Sequence, residues 1–154
     1  MKKYALVVGH TMVKDKGAYS DNLKQAEFDY NLSVANEIKA LCPEMFDIYV
    51  HEVQDYYQRQ KGMAFKLNQQ NYAAVFELHF NAASALANGT ECCYWFNSKK
   101  GKLYAEMISK GVSEVFGTIL RGVNGGKALV NKNYRGYWFT YLPKSPAVIV
   151  EPFF

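Results

Sequence analysis

The sequence predicts a single α/β domain, a twisted, mostly parallel sheet of about six strands flanked by helices. Short apolar runs suited to strands alternate along the chain with stretches of helical periodicity. The first run, Tyr4-Ala5-Leu6-Val7-Val8, is apolar throughout, as a central strand covered on both faces must be. A length of 154 residues with 49% hydrophobic and 16% aromatic content suffices for one real core and excludes disorder as the main state. No internal repeat or low-complexity tract interrupts the pattern.

The elements follow in order. Gly9-His10 ends the first strand, which puts His10 at a strand's carboxyl edge, where open α/β sheets bind their ligands. A polar, glycine-bearing loop runs to about Ser20. A helix is expected from Asn22 to Cys42, with Leu23, Val34, Ile38, Leu41 and Cys42 on its core face, Ala35 at the margin, and Pro43 as the stop. Glu27 and Asn31 fall on that same face, so Glu27 either finds a partner inside or snorkels out at the helix start. Met45–Val50 reads as a strand, and His51–Gln60 as a loop in which His51 is an ordinary surface residue. A helix near 62–72 precedes the strand 75–81, where alternation sends Phe76, Leu78 and Phe80 one way and Glu77, His79 and Asn81 the other. Three polar side chains in register are costly to bury unless they bind something. Ala82–Gly89 reads as a small-residue loop, and Thr90–Phe96 as a strand. From Leu103 to about Phe116, Leu103, Met107, Ile108, Val112 and Val115 supply an apolar helical stripe. A glycine-rich loop over Leu120–Lys127 leads to two last strands, Gly136–Leu142 and Ala147–Val150, the latter closed by Glu151.

Charge and cysteines narrow the class. The net charge of +4 is carried mostly by the second half, which is compatible with a solvated surface or with attraction to a polyanion. The three cysteines, Cys42, Cys92 and Cys93, are odd in number and lack CxxC spacing, so free thiols are expected rather than a disulfide framework. The N-terminal apolar run is too short for a signal-peptide core, and no run could span a membrane. A cytosolic protein with no stable membrane association is the expectation.

The unplaced oddities are His10, Glu27, His79 and Glu151. Two imidazoles and a carboxylate make a catalytic zinc ligand set, but they come from separate elements with no HExxH spacing, so the residues alone reach only a candidate metal site. The sequence does resemble a known family. Val8-Gly9-His10 with Gly17-Ala18, then Glu27 with Asn31, then Glu77-Leu78-His79-Phe80-Asn81-Ala82, and the ending Pro146-Ala147-Val148-Ile149-Val150-Glu151-Pro152-Phe153-Phe154 are similar to the zinc-dependent N-acetylmuramoyl-L-alanine amidases. The bacteriophage endolysin branch is the nearest in pattern, and Gly89-Thr90-Glu91, Ser109 and Arg121-Gly122 fit the family's order.

The resemblance implies hydrolysis of the amide between N-acetylmuramic acid and L-alanine in bacterial peptidoglycan, with Zn2+ as cofactor and cell-wall lysis as the outcome. It implies His10, Glu27 and His79 as zinc ligands and Glu151 as the catalytic carboxylate. Asn81 then orients substrate or supports the ligands, and Glu77 either backs His79 or pairs with a surface lysine. Arg121 either faces an oxyanion or stem-peptide carboxylate, or is a surface residue. It implies too that residues 1–154 are the catalytic domain, without the family's usual last helix or any wall-binding module, held in the host cytoplasm until released to the wall. The rivals are a wall-binding module that does not cut and a zinc carboxypeptidase acting on free peptides. A nucleotide-binding protein is disfavoured, because Gly9-His10 opens no phosphate-cradling loop.

Overall fold

The apolar run near the N-terminus becomes β1 (Tyr4–Thr11) in a computed structural model that describes residues 2–52, 55–81 and 87–153. A two-residue antiparallel ladder, β2 (Tyr19–Ser20) with β3 (Gln25–Ala26), leads into α1 (Glu27–Leu41). Then come β4 (Phe46–His51), α2 (Tyr56–Leu67), β5 (Ala74–Leu78), β6 (Glu91–Trp95), α3 (Lys99–Phe116), β7 (Gly126–Leu129), α4 (Tyr137–Tyr141) and β8 (Ala147–Glu151). The main sheet has six strands in the order β4-β1-β5-β8-β6-β7. All its neighbours pair in parallel except β6 with β8.

Strand alternation splits the core in two. Leu6, Val8, Phe76, Leu78, Val148 and Val150 face α1 and α3, with Phe28 and Ala105 from those helices. Ala5, Val7, Val75 and Ile149 face the other way, onto Met63 and Leu67 of α2 and Phe139 of α4. Each buried Leu, Val, Ile, Met or Phe side chain among them contributes roughly 1.5–3 kcal/mol on leaving water, which holds the three central strands β1, β5 and β8 in place beneath the carboxyl edge.

Several elements sit elsewhere than periodicity suggested. The sixth strand is not Gly136–Leu142, which forms α4, but Gly126–Leu129 out of the expected glycine loop. Gly136 starts α4 at φ 91°, and a Cβ there would run into Ile149 Cδ1, so glycine lets the short helix settle onto β8. The edge strand β7 hides from a hydrophobic search because its two central residues are exposed.

α1 begins at Glu27 rather than Asn22, leaving Leu23 in a turn and exposed. Its fully buried face is Glu27, Phe28, Asn31 and Ala35, with Val34 and Ile38 half-buried beside it, whereas Leu41 and Cys42 are exposed. α2 starts at Tyr56, capped by Asp55, whose carboxylate accepts from Gln58 N at 2.8 Å, and ends at Leu67, so it lies earlier in the chain than the expected 62–72. Its buried side carries Arg59 and Gln60, and those polar residues break the apolar period.

α3 turns Gly101, Ala105 and Ser109 toward the sheet, with Tyr104 and Ile108 half-buried at their side, while Leu103, Met107 and Val115 are exposed. Small residues four apart let the helix approach the sheet closely, which a search for large apolar residues inverts. Phe80 lies just past β5, half-buried against Tyr30 and Phe153 rather than in the core. The small-residue loop expected at 82–89 lies mostly outside the described residues. Among the described residues, no helix is long and apolar enough to cross a membrane. All three cysteines are free.

Candidate active site

Between Val8 and Thr11 the ladder of β1 with β4 slips, and Gly9-His10 are left without partners on β4. His10 sits there at φ 67°, a left-handed conformation that costs a non-glycine residue roughly 1–2 kcal/mol. The bulge turns its ring off the strand and over the carboxyl edge. Its Nδ1 meets Asp15 Oδ1 at 2.9 Å, and Asp15 in turn receives Arg59 NH1 at 2.8 Å. Burial works to raise Asp15, but Arg59 and His10 outweigh it and hold the carboxyl at about 2.

The other ring nitrogen, His10 Nε2, lies 3.1 Å from Glu27 Oε1. Glu27 opens α1 and is buried, so the sequence alternative that it pairs inside is the one observed. Backbone donors fix both oxygens: Phe80 N donates to Oε1 at 2.8 Å and Ala18 N to Oε2 at 3.0 Å. Burial opposes ionisation of Glu27, yet the hydrogen bonds of His10 and His79 hold its carboxyl far below the usual range.

His79, immediately after β5, completes the group, with Nδ1 3.1 Å from Glu27 Oε1. Its Nε2 lies 3.4 Å from Glu77 Oε2. Burial would depress His79, but Glu27 and Glu77 raise it to about 10. Ligand atoms of His10, Glu27 and His79 all lie within 4.8 Å of one another. That spacing and this donor set fit a metal ion.

Two glycines wall the cluster. A Cβ on Gly9 would strike His79 Cε1 and Nε2, and one on Gly17 would strike Glu27 Oε2. Gly17 also sits at φ 77°, where glycine alone is unstrained.

A second group of carboxylates ends β8 and begins β6. Register places Glu151 opposite Glu91, and their carboxyl groups hydrogen-bond. Burial raises Glu151 to about 7, the charge on His79 pulling down and Glu91 pushing up. Glu91 also receives Lys127 Nζ at 2.8 Å and Asn81 Nδ2 at 2.6 Å, and Arg121 Nε lies 3.5 Å away. Burial would raise Glu91, but Lys127 dominates and lowers it. His10, Glu27 and His79 line one cleft of about 550 Å3 together with Glu151, and Lys127, Tyr134 and Arg135 also line it.

Of the residues singled out from sequence, His10, Glu27, Glu77, His79, Asn81 and Glu151 all line this cleft. Arg121 stands behind Glu91, with NH1 donating to Asn88 O at 3.2 Å. Ser109 is fully buried, donating to Gly125 O at 2.9 Å, so it secures the turn before β7.

Sequence reasoning gave no site role to four participants. Asp15 and Arg59 brace His10, and Glu91 braces Glu151. His51 is no surface histidine: it is buried, with Nε2 2.7 Å from Glu77 Oε1. A weak signal existed for Arg59, a charged residue amid a helical apolar pattern. No local signal existed for His51.

An open α/β sheet with a two-histidine, one-carboxylate cluster and a near-neutral carboxyl at its carboxyl edge defines a hydrolase-type site. The chain belongs to the N-acetylmuramoyl-L-alanine amidase family (Amidase_3), whose pattern matches residues 5–154. Family membership makes peptidoglycan its substrate class and amide hydrolysis its reaction. Among curated protein sequences, none matches the chain.

Solved structures share the fold. The catalytic domain of the CD27L endolysin targeting Clostridia difficile is 24% identical, covering 100% of this chain and 82% of that one, with a TM-score of 0.80. An N-acetylmuramoyl-L-alanine amidase from Clostridium difficile 630 is 20% identical over 99% of this chain and 80% of its own, with a TM-score of 0.72. The catalytic domain of CwlV from Bacillus (Paenibacillus) polymyxa var. colistinus is 23% identical over the same shares, 99% and 80%, with a TM-score of 0.71.

Proposed function

We propose that this chain is a zinc-dependent N-acetylmuramoyl-L-alanine amidase in which His10, Glu27 and His79 hold the metal and Glu151 is the catalytic carboxylate. One observation carries the reading: three donors of zinc-ligand type meet within 4.8 Å in a cleft that also holds a carboxyl raised to about 7. Two imidazoles and one carboxylate leave a coordination position open, as catalytic zinc sites do. Zinc bound there supplies Lewis acidity, polarising the scissile carbonyl and acidifying the attacking water.

Glu151 takes the proton of that water on a carboxylate oxygen and passes it to the departing L-alanine nitrogen. A carboxyl that titrates near neutrality suits both halves of the transfer. Glu77 backs His79, and Asn81 holds Glu91 beside Glu151. Lys127 and Arg121 put positive charge at this wall, suited to a stem-peptide carboxylate.

The setting follows the endolysin reading. The protein waits in the host bacterial cytoplasm and reaches the wall after a separate membrane lesion, as a bacteriophage lysis enzyme does. The sequence resemblance and the endolysin catalytic domain among its structural relatives support this. Expressed alone in a bacterium, the chain leaves cells intact until the membrane is permeabilised; spontaneous lysis would count against it.

The deciding experiment combines elemental analysis with digestion of purified cell wall. One zinc per chain is expected, with new free amino groups, no new reducing ends, and loss of both zinc and activity on chelation. Full activity in a metal-free sample would overturn the zinc reading. Cleavage of peptides lacking muramic acid would assign the chain to carboxypeptidases instead.

A further inference from the structure

His10 and His79 offer different nitrogens to Glu27 and so to the metal position: Nε2 from His10 and Nδ1 from His79. Each ring is held from behind by a carboxylate on its remaining nitrogen. Asp15 does this for His10 and is part-exposed, with Arg59 as its own anchor. Glu77 does it for His79 from a position only 1% exposed. A carboxylate that deep needs strong donors to stay aimed. The close one is His51 Nε2, at 2.7 Å from Oε1, while Gln60 Nε2 stands at 3.5 Å from the same oxygen. His51 is 4% exposed and ends β4 opposite Thr11, so the sheet itself fixes its backbone.

We propose that His51 is a positioning residue for the metal centre. Acting through Glu77, it fixes the His79 ring so that Nδ1, not Nε2, faces the metal. The inference rests on the reading that His10, Glu27 and His79 bind zinc. The partner of one imidazole nitrogen sets which tautomer the other nitrogen presents to a metal. Glu77 Oε2 can hold Nε2–H of His79 only while Oε1 is engaged, because the two oxygens turn as one rigid group. Removing His51 leaves the carboxylate with the more distant Gln60 and frees it to rotate off His79. The competing role is purely structural, with His51 merely satisfying a buried carboxylate, and it predicts lost stability without altered metal coordination.

The test uses the full chain, with zinc affinity measured by competition against a chelator. His51→Leu is expected to weaken zinc binding by roughly tenfold to a hundredfold, the usual worth of a partner behind a metal ligand. His51→Gln, which retains a side-chain donor, should recover most of that loss. The cobalt-substituted Leu variant should show an altered visible spectrum, and the Gln variant one close to that of the parent. Nitrogen NMR of the unsubstituted, zinc-loaded protein should show His79 metallated at Nδ1 and protonated at Nε2, a readout independent of whether any variant folds. Metallation at Nε2, or a folded Leu variant with unchanged affinity and spectrum, overturns the role of His51 and leaves the zinc reading standing. A parent protein that binds no zinc overturns both.

Discussion

Glu27 and Glu151 line the same cleft, both largely withdrawn from water, yet their surroundings drive them in opposite directions. Burial penalises the charge on each. At the start of α1, two backbone amides and two imidazoles aim donors at Glu27, and the penalty is overwhelmed. At the end of β8, the side chain that hydrogen-bonds Glu151 is another carboxyl, Glu91, and the penalty prevails. The contrast separates two kinds of work. A carboxylate fixed in its charged form suits holding a cation, and one poised near 7 suits moving a proton.

The largest expected effect breaks the cation side. Glu27→Ala should abolish zinc uptake and take wall-digesting activity to the no-enzyme rate, as read by elemental analysis and amine release. Retained zinc would mean that the histidines suffice and that the contrast has no functional meaning.

Next comes the proton side. Glu151→Gln keeps size but cannot take a proton, so zinc stoichiometry should stay normal while turnover falls by roughly a hundredfold to ten-thousandfold. Near-normal turnover would show that Glu151 only closes its strand.

A smaller effect sharpens the geometry around Glu27. Gly17→Ala places a methyl group against Glu27 Oε2 and imposes a left-handed conformation on a residue with a Cβ, itself worth roughly 1–2 kcal/mol. The expected outcome is a lower melting temperature together with weaker zinc binding. A variant with normal melting would show that the loop at Gly17 yields freely.

The smallest effect is a difference in pH dependence, measured by calorimetry on the metal-free protein. Between 4.5 and about 7 the native state keeps a proton on Glu151 that the unfolded chain has released, so this group's contribution falls as pH rises through that window. Glu27 has the opposite sign: it stabilises above 4.5, and that contribution is lost as pH falls. His79, raised to about 10, adds a decline that starts near 6.5 and continues upward. Glu151→Gln should therefore flatten the wild-type slope between 4.5 and 7 and leave the others. An unchanged slope would mean that Glu151 is not raised.

By itself the sequence determined the α/β class, the central strands β1, β5 and β8, and the placing of Glu27 and Asn31 on the core-facing side of a helix, while whether Glu27 pairs inside or snorkels out stayed open until the fold was seen. Those features are local: an unbroken apolar run, a two-residue alternation and a carboxylate within a helical period each report which way their side chains face. It also placed His10, His79 and Glu151 at strand ends, and strand ends of an open sheet converge on one edge. Tertiary structure decided the rest. The inward face of α3 rests on the small residues Gly101, Ala105 and Ser109, and Ala35 stands on that of α1 beside Phe28; the value of these small residues is close approach and not hydrophobicity. The edge strand β7 depends on pairing with β6, and α4 on Gly136 fitting over Ile149. The pairings of His51 with Glu77 and Glu91 with Glu151 join residues 26 and 60 positions apart, brought together by strand order and register. Periodicity carries no record of which strand lies beside which, so the charge state of each carboxylate in the cleft could only emerge from the folded sheet.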